Sequence, residues 1–258
     1  MGRLRRLSIS VLLVVLCVTV LLSGCSRTPY SEEPSNETVN SAVGSSSNSP
    51  TSSESVGMPN GTAFFKLIST KVYEDYEANY SGNSKLERNI ELIYGQASCP
   101  NFAVGNSNAE TAGCEIIAVY NALRLCGFEA TCSGVIRDFE KNGYLMAAGH
   151  FGSNPYLIKD YFENKRNHPI TQYADFSSMT KDVTDNIYDK RVYIASFWNS
   201  NVISDGFHTV AFYTDKGSIY ILNLGINDIK LTMKSRMEAF VNEERFIVGY
   251  WIPVKESD

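Results

Sequence analysis

Cys114, His208 and Asn223 are the residues of this 258-residue chain whose types and order suit covalent chemistry. Cys114 follows a glycine and opens the apolar stretch "CEIIAVYNALRLC". A thiol attacks as the thiolate, and the unpaired amide N–H groups of a helix N-terminus favour that form. Glu115 works the other way, because its charge opposes a thiolate unless the side chain points away. His208 opens the run "HTVAFYT", where an imidazole can serve as base and then acid. Of the other two histidines, His150 in "AAGHFG" and His168 before Pro169 read as surface loop residues. Asn223 closes "SIYILN" and could orient the imidazole. Taken singly, Cys114 also fits a small buried side chain. His208 likewise fits a satisfied strand-edge histidine, and Asn223 a polar strand end before Gly225.

The elements that must position these groups follow from periodicity. A helix is expected from Cys114 to Cys126, with Ile116, Val119, Tyr120 and Leu123 on one face and Gly127 just past its end. Helices are also expected over 85–94, 133–142, from Pro155 to about Lys165 behind an Asn154 cap, and over 177–188. Residues 96–112 read as a long irregular stretch. Four β-branched and aromatic runs follow, at 192–198, 208–214, 218–224 and 246–252. Helices first and an antiparallel sheet after is an α+β pattern. A four-residue turn at Thr214–Gly217 would face Tyr213 with Ser218 and make His208 and Asn223 direct cross-strand partners. A three-residue loop would slip the register by one and send Asn223 to the opposite face.

A Cys at a helix start, a His opening a strand and an Asn fifteen residues later resemble the papain-like fold. Papain and the bacterial double-glycine peptidases that trim secretion leaders share it. "GHFGSNPYLIKDYF" is similar in kind to the Gly-rich stretch and helix that the latter carry between Cys and His. The resemblance covers about residues 105–225. It implies an α+β papain-like domain whose N-terminal helical part carries the Cys, followed by an antiparallel sheet carrying His and Asn. It makes Cys114 the nucleophile, His208 the general base and Asn223 the orienting residue. It further implies an oxyanion site from the Cys114 backbone N–H and the side chain of Asn108, where the family has Gln six residues before the Cys; Asn106 is a rival. The expected activity is that of a cysteine peptidase working through a thioester on a peptide or protein substrate, without a cofactor. A transglutaminase or acyltransferase would use the same triad, and a papain-like binding lipoprotein would use none of it. The Gly-Ser-Cys-Trp surroundings of papain are replaced by "AGCEII", and no transporter segment follows, so leader trimming is not implied.

The front of the chain concerns location. Arg3, Arg5 and Arg6 precede an apolar run from Ile9 to Leu22 that suits a signal peptide and is short for a membrane span. Leu22-Ser23-Gly24-Cys25 resembles the lipobox of bacterial lipoproteins. That implies a signal over 1–24, a diacylglyceryl group on Cys25 and anchorage on the extracytoplasmic face of the cell membrane. Residues 25–60 are a Ser/Thr-rich tether with few large apolar side chains. Residues 61–258 form the expected folded domain. Loss of the three signal arginines takes the net charge from −5 to −8, and no basic patch is present, which argues against nucleic acid. The absence of C-x-x-C and a count of three histidines argue against zinc. Of six cysteines, Cys99, Cys114, Cys126 and Cys132 fall in the domain, and the proximity of Cys126 and Cys132 in sequence makes them the expected pair.

Overall fold

A computed structural model describes residues 76–87, 90–201 and 205–255. The signal, Cys25 and the tether lie outside the described residues. The fold is α+β. Its helical half contains α1 (Tyr76–Leu86), a short hairpin of β1 (Ala103–Val104) and β2 (Ser107–Asn108), α2 (Ala109–Ala112), α3 (Cys114–Leu125) and α4 (Cys132–Lys141). A 3₁₀ turn at Pro155–Leu157, α5 (Ile158–Asp160) and a wider turn at Tyr161–Lys165 lead to β3 (Thr171–Tyr173) and α6 (Phe176–Asp185). The remaining strands are β4 (Arg191–Trp198), β5 (Phe207–Asp215), β6 (Ser218–Leu222), β7 (Thr232–Lys234) and β8 (Phe246–Ile252). They join β3 in one sheet of order β3-β8-β4-β5-β6-β7, and every neighbouring pair is antiparallel.

Helix α3 is the centre of the fold. All ten residues from Cys114 to Leu123 are buried, not just the one face that periodicity marks. A helix that is covered all round needs partners on every side. The sheet supplies one side through β4 and β5, and α2 and α4 supply others. Its core includes Ile116, Val119, Leu123, Phe139, Ile194 and Ala211. The sheet's other face packs Tyr193, Val210 and Phe212 against Met179 of α6 and against Met237 and Phe240.

Polar side chains join the helical half. Asn83 of α1 accepts from Ala103 N–H and donates to Ala103 C=O, at 2.8 and 2.9 Å. Glu140 of α4 accepts from Asn79 and from Gly105 N–H. Glu87 accepts from the Cys132 and Ser133 N–H groups, two of the donors that the first turn of α4 leaves unpaired. The helix expected over 85–94 is replaced by α1, which ends where that helix should begin. Residues 90–95 instead run along α3. The Tyr120 hydroxyl donates to Ile90 C=O, and Asn121 takes both backbone groups of Ile93. Tertiary partners for the backbone thus override local helix propensity.

Two further expectations change. The β5–β6 hairpin turns on Lys216 and Gly217 alone, with φ of 49° and 81°. Asp215 pairs with Ser218, so the register sits two residues from the four-residue turn expected. A two-residue turn with both central φ positive matches the right-handed twist of the strands. The last ladder pair is Ala211 with Leu222, so His208 and Asn223 are not ladder partners. The Cys126–Cys132 pair is also absent. All four described cysteines are outside disulfides, and the Cys126 thiol points to Ile252 C=O at 3.6 Å.

The hairpin turn gives a direct test. Gly217→Ala places a Cβ on a left-handed backbone and should cost about 1–2 kcal/mol. Urea denaturation of the folded domain measures it. Unchanged stability would contradict the two-residue turn.

Candidate active site

The N-terminal end of α3 meets the beginning of β5 through a buried carboxylate. Glu115 is wholly buried. Its Oε1 accepts from the Thr209 hydroxyl at 3.1 Å. Its Oε2 accepts from the Cys114 thiol at 3.3 Å and from Ser153 N–H at 3.4 Å. Thr209 in turn shares a hydrogen bond with Ser196 of β4 at 2.8 Å. Cys114 and His208 are therefore each one residue away from a direct side-chain link between their elements. Glu115 does not point away from the thiol. An ionised Glu115 accepts the S–H bond and repels a thiolate, whereas a protonated Glu115 can donate to one.

Burial pushes the Glu115 carboxyl up to about 7, against an ordinary 4.5, and its hydrogen bonds offset only part of that. The group therefore changes charge near neutrality, beside the thiol. Burial also holds His208 below the usual histidine value, opposed by the Asn223 carbonyl and the Asp228 charge.

His208 Nε2 lies 2.5 Å from the backbone oxygen of Asn223. A carbonyl only accepts, so Nε2 carries the proton. In the neutral ring Nδ1 is then left with its lone pair. The ring is otherwise flanked by Phe197, edge to face at 5.9 Å. Asn223 approaches His208 through its main chain, not its amide. It has left the β6 ladder with φ of 59°, and both polar atoms of its buried side chain lack a hydrogen-bond partner. Each such atom costs about 1–3 kcal/mol. A left-handed non-glycine residue with an unpaired buried amide is stored strain of the kind found at functional sites.

A strap over residues 93–99 holds this arrangement from behind. Asn121 of α3 clamps Ile93 at 2.9 and 2.7 Å. The next residue, Tyr94, accepts from Asn223 N–H at 2.7 Å. Gly95 packs so closely on residues 226–228 that a Cβ would fall 2.3 Å from the Asp228 carbonyl oxygen. Gln96 is buried, and its amide donates to the Ala109 and Glu110 carbonyls at 3.2 and 2.9 Å. The strap thus runs from α3 to the carrier of His208's acceptor and then to α2, just ahead of Cys114.

Asn108 caps α2. Its Oδ1 accepts from Thr111 N–H and from the Thr111 hydroxyl, both at 3.0 Å. His150 is exposed, as expected, and His168 also lies in a loop, half-buried, with its Nε2 2.8 Å from Pro253 C=O. Sequence reasoning passed over Gln96, Asn121, Ser153 and Thr209. None carries a motif, and Gln96 and Asn121 act only through backbone groups that the fold brings to them. No protein-family model matches the chain, and no curated protein matches it.

The pH dependence of stability isolates Glu115. Its folded value is raised, so below pH 4.5 it is protonated folded or unfolded. Between 4.5 and about 7 the unfolded chain ionises first, and stability is lost. The 2.5-unit gap corresponds to roughly 3 kcal/mol. Glu115→Gln should therefore gain on the native protein as pH rises through that window, whatever its constant offset. Denaturant titrations of both at several pH values measure the slope, and parallel curves would show that Glu115 is ionised throughout.

Proposed function

We propose that this chain is a papain-like thiol hydrolase, most simply a cysteine peptidase, with Cys114 as nucleophile and His208 as base. The observation that carries the reading is the His208 Nε2–Asn223 carbonyl bond at the start of the strand that Glu115 ties to the Cys114 helix end. It fixes the imidazole tautomer a thiol hydrolase needs, with Nδ1 available to take the thiol proton. Cys114 then attacks an amide carbonyl. The Cys114 backbone N–H and the Asn108 amide hold the oxyanion, and His208 returns its proton to the leaving amine. Water releases the acyl group from the thioester; an amine acceptor would make the same site an acyltransferase. The lipobox-like Cys25 would hold this domain at the extracytoplasmic membrane face, with the tether giving it reach to peptide or protein substrates.

A second reading is favoured by two particular observations. Cys114 is only 5 % exposed, and the Asn223 amide faces no partner. Both suit a papain-like domain retained for binding.

Thiol alkylation separates the two. With Cys114→Ala as the blank, the hydrolase reading expects Cys114 to be labelled well below about pH 8.5, the ordinary thiol value. His208→Ala should slow that labelling about tenfold or more. Ordinary or absent reactivity at Cys114, or no effect of His208→Ala, would leave the binding reading.

A further inference from the structure

Glu115 follows Cys114 directly, and consecutive residues of a helix do not face each other. The Glu115 side chain nevertheless brings Oε2 to 3.3 Å from the Cys114 Sγ. Its surroundings hold it there. Thr209 of β5 donates to Oε1, and Ser153 N–H donates to Oε2. Gly152, with φ of 71°, lies against the carboxylate, where a Cβ would come 3.1 Å from Oε2. The Ser153 hydroxyl beside it is buried and has no hydrogen-bond partner.

Among the described residues, no cation pairs with this carboxylate. On α3 it meets Cys114, and Arg124 lies at the other end of that helix. β5 carries His208 next to Thr209, with its imidazole on the Asn223 carbonyl, and Asp215 at the far end of the strand. β4 contributes the Ser196 hydroxyl through Thr209, while its Arg191 lies at the first residue of the strand, on Asp182. The loop before Ser153 brings an exposed His150, and α2 an exposed Glu110. On α4, Arg137 and Lys141 pair with Glu77, Asp138 pairs with Arg166, and Glu140 binds Asn79 and Gly105. Without a counter-charge, burial strengthens the hold of Glu115 on its proton, up to about 7, so both of its forms are populated around neutrality.

We propose that Glu115 is a proton-operated gate on the Cys114 thiol, a positioning residue that favours the thiolate as a carboxylic acid and opposes it as a carboxylate. The gate rests on the reading of Cys114 as nucleophile and His208 as base, and names the condition under which that nucleophile forms. With Glu115 protonated, His208 takes the thiol proton. The result is a Cys114 thiolate that accepts a hydrogen bond from the Glu115 O–H, beside an imidazolium. When this set loses one proton to solvent, Glu115 and His208 each give one up and sulfur regains one. The S–H then donates to an ionised Glu115, whose charge opposes a second loss. The site therefore opens below about pH 7 and closes above it.

Iodoacetamide labelling tests the gate, with the rate at Cys114 followed across neutral pH in the native chain and in Glu115→Gln. Gln keeps an N–H donor for the thiolate and cannot ionise. One group titrating near pH 7 makes the ratio of the Gln variant's rate to the native rate grow about tenfold between about pH 6 and about pH 8. Thr209→Val removes the Oε1 donor and leaves Cys114 in place, so the pH at which the native profile breaks should move up. A carboxylate with only a structural role would change the rates and leave that break where it is. The carboxyl carbon resonance of Glu115 gives a second readout. In Cys114→Ala the loss of the S–H donor should raise its titration midpoint. Parallel labelling profiles in the native chain and Glu115→Gln, a break that Thr209→Val leaves in place, or a Glu115 titration that Cys114→Ala leaves unmoved would each overturn the gate and spare the hydrolase reading. A Cys114 that labels in neither the native chain nor Glu115→Gln would overturn both.

Discussion

A carboxylate without solvent sits where the helix bearing the thiol meets the strand bearing the imidazole. Burying an ionised group costs several kcal/mol unless hydrogen bonds compensate. Glu115 meets that cost partly through Cys114, Ser153 and Thr209, and partly by holding a proton to about pH 7. The compensation is geometric. Each donor comes from a different part of the chain, so satisfying the carboxylate fixes the end of α3 against β5 and against the loop at Ser153. The Ser196–Thr209 bond passes the constraint on to β4. A misplaced α3 would leave both a charge and its donors unpaired in the core.

The second constraint is the strap. Asn121 receives residue 93 as a neighbouring strand would, with one donor and one acceptor. Tyr94 then fixes Asn223, and Asn223 fixes His208. Rigid parts surround a strained one: the left-handed backbone and unpaired amide of Asn223 persist because residues on both sides are held. The backbone oxygen of Asn223 fixes the imidazole tautomer, with the proton on Nε2.

Elements with complete local signals were legible in the sequence. The helix beginning at Cys114 closes at Gly127, and the Asn154-Pro155 cap and the four long strands lie where periodicity and turn residues put them. The misses have physical causes. Residues 90–95 gave their backbone groups to Tyr120 and Asn121 instead of to a helix of their own. β3 and β7 have three residues each, too few for alternation to register. The turn at Lys216-Gly217 lacks an Asn or Asp to mark it, and the register moved with it. At the site, the residue types were visible but their directions were not. Nothing local says that Glu115 turns inward or that Asn223 offers its carbonyl.

In the proposed hydrolase, Cys114 and His208 work as a pair across the junction that Glu115 makes. The most direct measurement is the NMR titration of the His208 imidazole in the native chain and in Cys114→Ala. His150 and His168 serve as internal references. A thiolate paired with the ring would stabilise its protonated form, so a working pair makes His208 titrate at higher pH in the native chain than in Cys114→Ala, where burial holds it low. Superimposable His208 titrations in the two proteins would contradict it.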